Sequence, residues 1–184
     1  TLILPRRDGV AAVAAGGQDS VGLRCPAHPV AQALLVAAAA RGVSGVAAPS
    51  ANRFGRVSPT TAAHVADEFE GLSDADLLIL DGGACPVGIE STIVDATRAH
   101  PVLLRPGMVT AAQIEAVCQQ PLRERDGAAP RASGTLESHY APRAKVRLMD
   151  AQPLQAALDV LGADARHIAV YARTPLKAAR GVNV

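Results

Sequence analysis

Residues 49–60, PSANRFGRVSPT, carry two serines, an asparagine, two arginines, a glycine and two prolines between apolar segments. Ser50 and Asn52 stand two apart, so in an extended segment they project from one face. A hydroxyl and an amide placed that way can donate to phosphate oxygens or read a ribose. Ser58, followed by Pro59, is placed to cap a helix N-terminus, where free N–H groups favour an anion. The same residue types also build ordinary solvated turns. Taken alone, the stretch leaves both readings standing.

Two further groups belong to the same chemistry. GIESTIVD sets Ser91 and Thr92 at the start of a strand after a glycine-containing turn. Their hydroxyls suit a ligand carboxylate or amine, or simply line a β edge. Arg105 ends PVLLR ahead of PGM, and Arg24 sits the same way in VGLRCP. A strand-end arginine can grip a phosphate through two N–H groups, or form a surface ion pair. Two of them beside two hydroxyl clusters bring those readings level.

Reactive groups are harder to find. Asp81, Glu90 and Asp95 are candidate carboxylates, yet none forms an acid/base pair by spacing. His28 reads as a helix N-terminal residue and His64 as structural. There is no Ser-His-Asp order, no metal-ligand spacing, no GxGxxG and no GxxxxGK[ST]. We therefore expect no catalytic nucleophile and no metal-binding residue. A hydrolase acting on a nucleotide-linked acyl group is disfavoured on that ground. What remains is hydrogen bonding and positive charge, which suits a reaction performed by positioning a nucleotide and a small acid.

The elements that must position these residues alternate. TLILP and residues 20–26 read as strands. A helix spans about 29–41, with Pro29 in its first turn and Gly42 past its end. Residues 45–50, GVAAPS, read as a buried strand, and residues 76–80, DLLIL, as another. A second helix starts at Ser58-Pro59 and stops before Gly71. Residues 91–95 and 101–105 form a strand pair. Thr110 and Gln113 make a capping box for a third helix, with Ile114 and Val117 on its apolar face. Residues 120–143, polar and rich in Pro, Gly and Arg, read as a linker. KVRLM, PLQAALDVLG and HIAVYAR then give a fresh β-α-β run. The fold class is α/β, divided into residues 1–119, the linker 120–143 and a partial second α/β, Rossmann-like domain over 144–184.

Composition narrows the field. The 184 residues are 49% hydrophobic and 2% aromatic, so the core is aliphatic, and the net charge is +1. That balance lacks the basic, aromatic footprint of a strong nucleic-acid binder. Three scattered cysteines, Cys25, Cys85 and Cys118, suit neither a disulfide framework nor a zinc site and fit a cytoplasmic setting. No apolar run is long enough for a membrane span.

Five segments in order, VGLRCPAHP, APSANRFGRVSPTT, LILDGGACPVGIESTIVD, LLRPGMVT and SGTLESHYAP, closely resemble the two-domain YrdC-like threonylcarbamoyl-AMP synthases. The resemblance covers about residues 1–143 and part of a second domain. It implies a YrdC-like twisted mixed sheet with helices around a large, positively lined cavity, and a linker reaching back over it. It also implies an activity, synthesis of L-threonylcarbamoyladenylate and pyrophosphate from L-threonine, bicarbonate and ATP. The product feeds threonylcarbamoyladenosine modification of tRNA through downstream transfer proteins. By the same resemblance Ser20, Ser50, Asn52, Ser58, Arg105 and Tyr140 contact ATP, while Arg24, Ala48 (through its backbone) and Ser91 position L-threonine. ATP is a substrate that brings Mg2+, and no tightly bound cofactor is implied. The family's KxR element is missing, since the nearest spacing, Lys177 to Arg180, lies in the wrong domain. The chain is thus expected to be N-terminally incomplete, with weak or no synthase activity alone. The alternative is a double-stranded RNA or tRNA-binding module, or a translation factor without synthase activity.

Overall fold

The computed structural model describes residues 1–132, 134, 142, 144–165 and 167–177. The chain divides into two compact units, Thr1–Ala141 and Pro142–Val184. In the first, β1 (Leu2–Pro5), β2 (Ser20–Leu23), β3 (Ile93–Asp95), β4 (Val102–Arg105) and β5 (Arg123–Glu124) form one sheet in the order β2-β1-β3-β4-β5. Pairs β1/β2 and β3/β4 are antiparallel; β1/β3 and β4/β5 are parallel. The sheet is therefore mixed and the class α/β, as expected.

Aliphatic β-formers account for its core. Ile3, Ile93, Val102 and Leu104 bury together, and Ala129 and Ala132 pack against them. Asp95 is 0% exposed in β3. Its Oδ1 accepts from the Thr97 N–H and hydroxyl at 2.9 and 2.7 Å. Its Oδ2 faces Arg98 Nε at 3.2 Å, and Arg98 Nη1 also grips both oxygens of Asp126. A buried carboxylate thereby clasps the β3–β4 turn to the segment after β5.

The helices obey local signals. Helix α1 (Pro29–Ala39) opens on proline, and Gly42 just beyond it takes a φ of +81° that side chains disfavour. Helix α3 (Ala111–Cys118) carries the expected Thr110–Gln113 capping box. Its Ile114 is half-buried, but Val117 is 84% exposed, so the expected apolar face is only half realised. Helix α2 (Ala62–Glu68) corrects the sequence reading: its cap is Thr61, whose hydroxyl accepts from His64 N–H, and not Ser58. Residues 59–61 stay extended or bent, which frees the Ser58 hydroxyl for other partners.

Two expected strands do not form. Residues 44–49 and 78–80 make no hydrogen bond to any described residue, and Val46, Leu78 and Leu80 are exposed. Apolar composition marks these runs as strand-like, yet among the described residues no neighbouring strand meets their backbone. Conversely, β5 lies inside the expected linker. Gln18 pins the segment just beyond β5, donating to Arg131 O and accepting from Arg131 N–H at 3.3 and 2.9 Å.

The second unit holds α4 (Ala151–Leu161) and a 3-10 turn, Gly162–Asp164, with Leu158 and Ala165 buried. Gln155 ties the helix to Lys177 through paired bonds of 2.9 and 2.8 Å. KVRLM is exposed coil, and HIAVYAR holds only an isolated bridge at Ala169, so the expected β-α-β run reduces here to its helix.

Candidate functional site

One end of the sheet gathers the candidate residues. Arg24 comes directly after the last residue of β2, and its Nε donates to Thr1 Oγ1 at 2.9 Å. Thr1 N donates to Thr92 O at 2.8 Å, beside β3. Arg105 closes β4 opposite Ile93 and donates from Nε to Ser91 O at 3.0 Å. Arg24 and Arg105 thus stand at the same end of the sheet.

Ser91 and Thr92 differ in duty. Thr92 is buried and spends its hydroxyl on Val109 O at 2.7 Å. Ser91 is exposed and lines a cavity of about 600 Å³, shared with Thr1, Ile89, Glu90, Met108 and Ile114 among others. That volume is in the range of small-ligand sites. Among the described residues its lining includes no basic side chain. The charged side chain there is Glu90, with Arg105 behind it.

Glu90 joins the cavity to the PSANRFGRVSPT loop. Ser58 Oγ donates to Glu90 Oε1 at 2.5 Å and lies 3.3 Å from Asn52 Oδ1. Glu90 Oε2 is 3.6 Å from Arg105 Nη2. Asn52 does not continue an extended segment from Ser50, because its N–H folds back onto Ser50 O at 2.9 Å. Its amide instead closes the loop, donating to Arg53 O and Arg56 O at 2.9 and 3.3 Å. The expected shared face of Ser50 and Asn52 is replaced by a turn that leaves Ser50 exposed.

Asn52, Ser58, Glu90, Arg105 and Ser91 are therefore linked in one chain of contacts, with Arg24 at the same sheet end. Ala48 lies in the exposed, unpaired run before Ser50. Ser20 is not brought to this end: it pairs with Pro5 at the opposite end of β2, roughly 13 Å from Arg24 at the usual strand rise. Tyr140 lies outside the described residues. Gly107 was not singled out by sequence. A Cβ there would collide with Thr92 N and stand 2.5 Å from Glu90 O, so only glycine lets the loop after β4 press on residues 90–92. The RPGM turn carried that signal.

Among the described residues no group of three His, Cys, Asp or Glu could hold a metal ion. The assembly offers fixed donors, one carboxylate and a small-molecule cavity, without a nucleophile activated by a base.

Residues 1–107 match the Sua5/YciO/YrdC family model, which is described as telomere recombination. The chain belongs to this family. Residues 109–183 match the model for the C-terminal domain of threonylcarbamoyl-AMP synthase. Among Sua5/YciO/YrdC relatives, the threonylcarbamoyl-AMP synthase of Pyrococcus abyssi is 39% identical over 155 residues, 82% of this chain and 44% of that protein. The Bacillus subtilis threonylcarbamoyl-AMP synthase is 38% identical over 159 residues, 83% of this chain and 44% of that protein. The crystal structure of P. abyssi Sua5 complexed with L-threonine matches with a TM-score of 0.74 at 32% identity, covering 98% of this chain and 54% of that one. The chain spans less than half the length of these two curated relatives.

Proposed function

We propose that this chain carries the substrate-binding machinery of an L-threonylcarbamoyladenylate synthase, which joins L-threonine, bicarbonate and ATP and releases pyrophosphate. The observation that carries this reading is the convergence of Arg24, Ser91 and Arg105 at one sheet end, with Ser58 and Asn52 linked to it through Glu90. The named relatives, one of them solved with L-threonine, support it.

Arg24 supplies positive charge for the threonine carboxylate, and Ser91 a hydroxyl at the cavity wall. Ala48 adds backbone groups that no described residue occupies. On the nucleotide side, Arg105 and Ser58 receive phosphate oxygens. Asn52 holds the loop in shape and Ser50 offers its exposed hydroxyl. The family resemblance also assigns Ser20 and Tyr140 to ATP, although Ser20 stands at the opposite end of β2 from Arg24. Mg2+ enters with ATP as the counter-ion of its phosphates.

The product's connectivity dictates the bonds. One forms between the threonine nitrogen and the bicarbonate carbon, with loss of water. Another forms between the resulting carboxylate oxygen and the α-phosphorus, with pyrophosphate leaving. Neither needs a protein nucleophile. Both need the reactants aligned and the phosphate charge neutralised as the leaving group departs. The product would then serve tRNA modification in the cytoplasm, through transfer proteins downstream. No helix among the described residues is long and apolar enough to cross a bilayer.

Calorimetric titration of ATP, with and without L-threonine and bicarbonate, tests this reading. The expected result is ATP binding that tightens when L-threonine is present. ATP binding indifferent to L-threonine, both in this chain and in a version extended to its relatives' length, would refute it.

A further inference from the structure

We propose that Glu90 is a specificity-determining residue: its carboxylate sits in the phosphate seat and sets the charge a ligand must bring to displace it. The proposal rests on the nucleotide role given above to Ser58 and Arg105.

Glu90 touches the two donors assigned to phosphate. One oxygen accepts the Ser58 hydroxyl at 2.5 Å, and the other lies 3.6 Å from Arg105 Nη2. Arg105 cannot easily turn elsewhere, because its side chain is only 8% exposed and its Nε is fixed on Ser91 O. Glu90 itself is 28% exposed and lines the cavity, so its carboxylate has room to leave. The backbone beneath it does not, since Glu90 O and Thr92 N are packed against Gly107. A fixed backbone with a releasable carboxylate is the arrangement a displaceable stand-in requires.

The consequence is one of charge. A carboxylate presents two acceptor oxygens and one negative charge to a hydroxyl and a guanidinium. A ligand of equal charge gains little by replacing it. A di- or triphosphate brings more charge and more oxygens, and displaces Glu90 into solvent. Until then the carboxylate holds Ser58 and Arg105 apart at the separation seen here, which limits reorganisation on binding.

Inorganic pyrophosphate is the probe, titrated into the wild-type chain and into Glu90→Gln. The amide keeps an acceptor for Ser58 but removes the competing charge. Tighter binding by about tenfold is expected, the order set by removing one like charge within contact range of an anion at a partly exposed site. A residue that merely supports Arg105 would give the opposite sign, so unchanged or weaker binding overturns the proposal, as does no binding to either protein. Circular dichroism checks folding. If Glu90→Gln fails to fold, Glu90→Asp withdraws the carboxylate by one methylene, and the same tightening, smaller in size, is required. Pyrophosphate reads the seat, whereas the ATP and L-threonine titration reads the reaction. Tightening by Glu90→Gln without coupling to L-threonine keeps the seat and refutes the synthase reading; the reverse pattern refutes the seat alone.

Discussion

The β3–β4 hairpin and the stretch from residue 44 to residue 90 both contribute to the candidate site, but they are held in different ways. The hairpin is buried: Ile93, Val94, Val102 and Leu104 lie in the interior, and Asp95 is clasped by Thr97 and Arg98. The stretch is mostly exposed, and on either side of α2 residues 44–49 and 78–80 make no hydrogen bond to a described residue. It is fastened at separate points. Ser58 meets Glu90, Cys85 N–H meets Thr60 O at 2.8 Å, and the His28 ring meets Gly82 O at 3.2 Å. Arg105 and Ser91 therefore stand on a rigid base, while Ser50, Asn52 and Ser58 ride on a loop shaped by its own hydrogen bonds.

The contrast can be broken first by truncation. Ile93 is 3% exposed and Leu78 is 75% exposed. Ile93→Ala should cost about 2–5 kcal/mol of unfolding free energy, and Leu78→Ala within roughly 0.5 kcal/mol. Urea denaturation measures both, and similar costs would show that the stretch is packed as tightly as the sheet.

A second test addresses the clasp. Asp95→Ala removes two hydrogen bonds to a buried carboxylate together with an ion pair, for an expected loss of about 3 kcal/mol. Arg98 keeps Asp126, which limits the damage. A loss below roughly 1 kcal/mol would mean that the hairpin draws its rigidity from apolar packing alone.

The smallest effect is a pH dependence. The hydrogen bond from Arg98 holds the exposed Asp126 carboxyl below its ordinary value of 3.8. A lowered folded-state value stabilises the fold above 3.8, and that contribution is lost as pH falls through the lowered value. Melting temperature should thus drop on acidification below 3.8, less steeply in Asp126→Asn. Identical acid limbs for the two proteins would remove Asp126 from the account.

The same contrast explains what could be read from sequence. Local signals sufficed where a few residues decide the outcome: Pro29 and Gly42 around α1, the Thr110–Gln113 box of α3, and the short aliphatic runs of β3 and β4. GVAAPS and DLLIL misled because an apolar run reports a demand for burial, and not the presence of a neighbour to meet it. β5 escaped notice for the converse reason, since Arg123 and Glu124 become a strand only through pairing with Val102 and Leu103. At the candidate site, the placement of Arg24, Ser91 and Arg105 at strand ends was legible because strand ends announce them. Glu90 was noticed as a carboxylate but not as the link between two segments, because no spacing in the chain reports a contact across 32 residues.

The unpaired runs also govern how this molecule behaves in company. The N–H and C=O groups of residues 44–49 and 78–80 meet no described residue and lie beside exposed valines and leucines. Such backbone is a template for another strand.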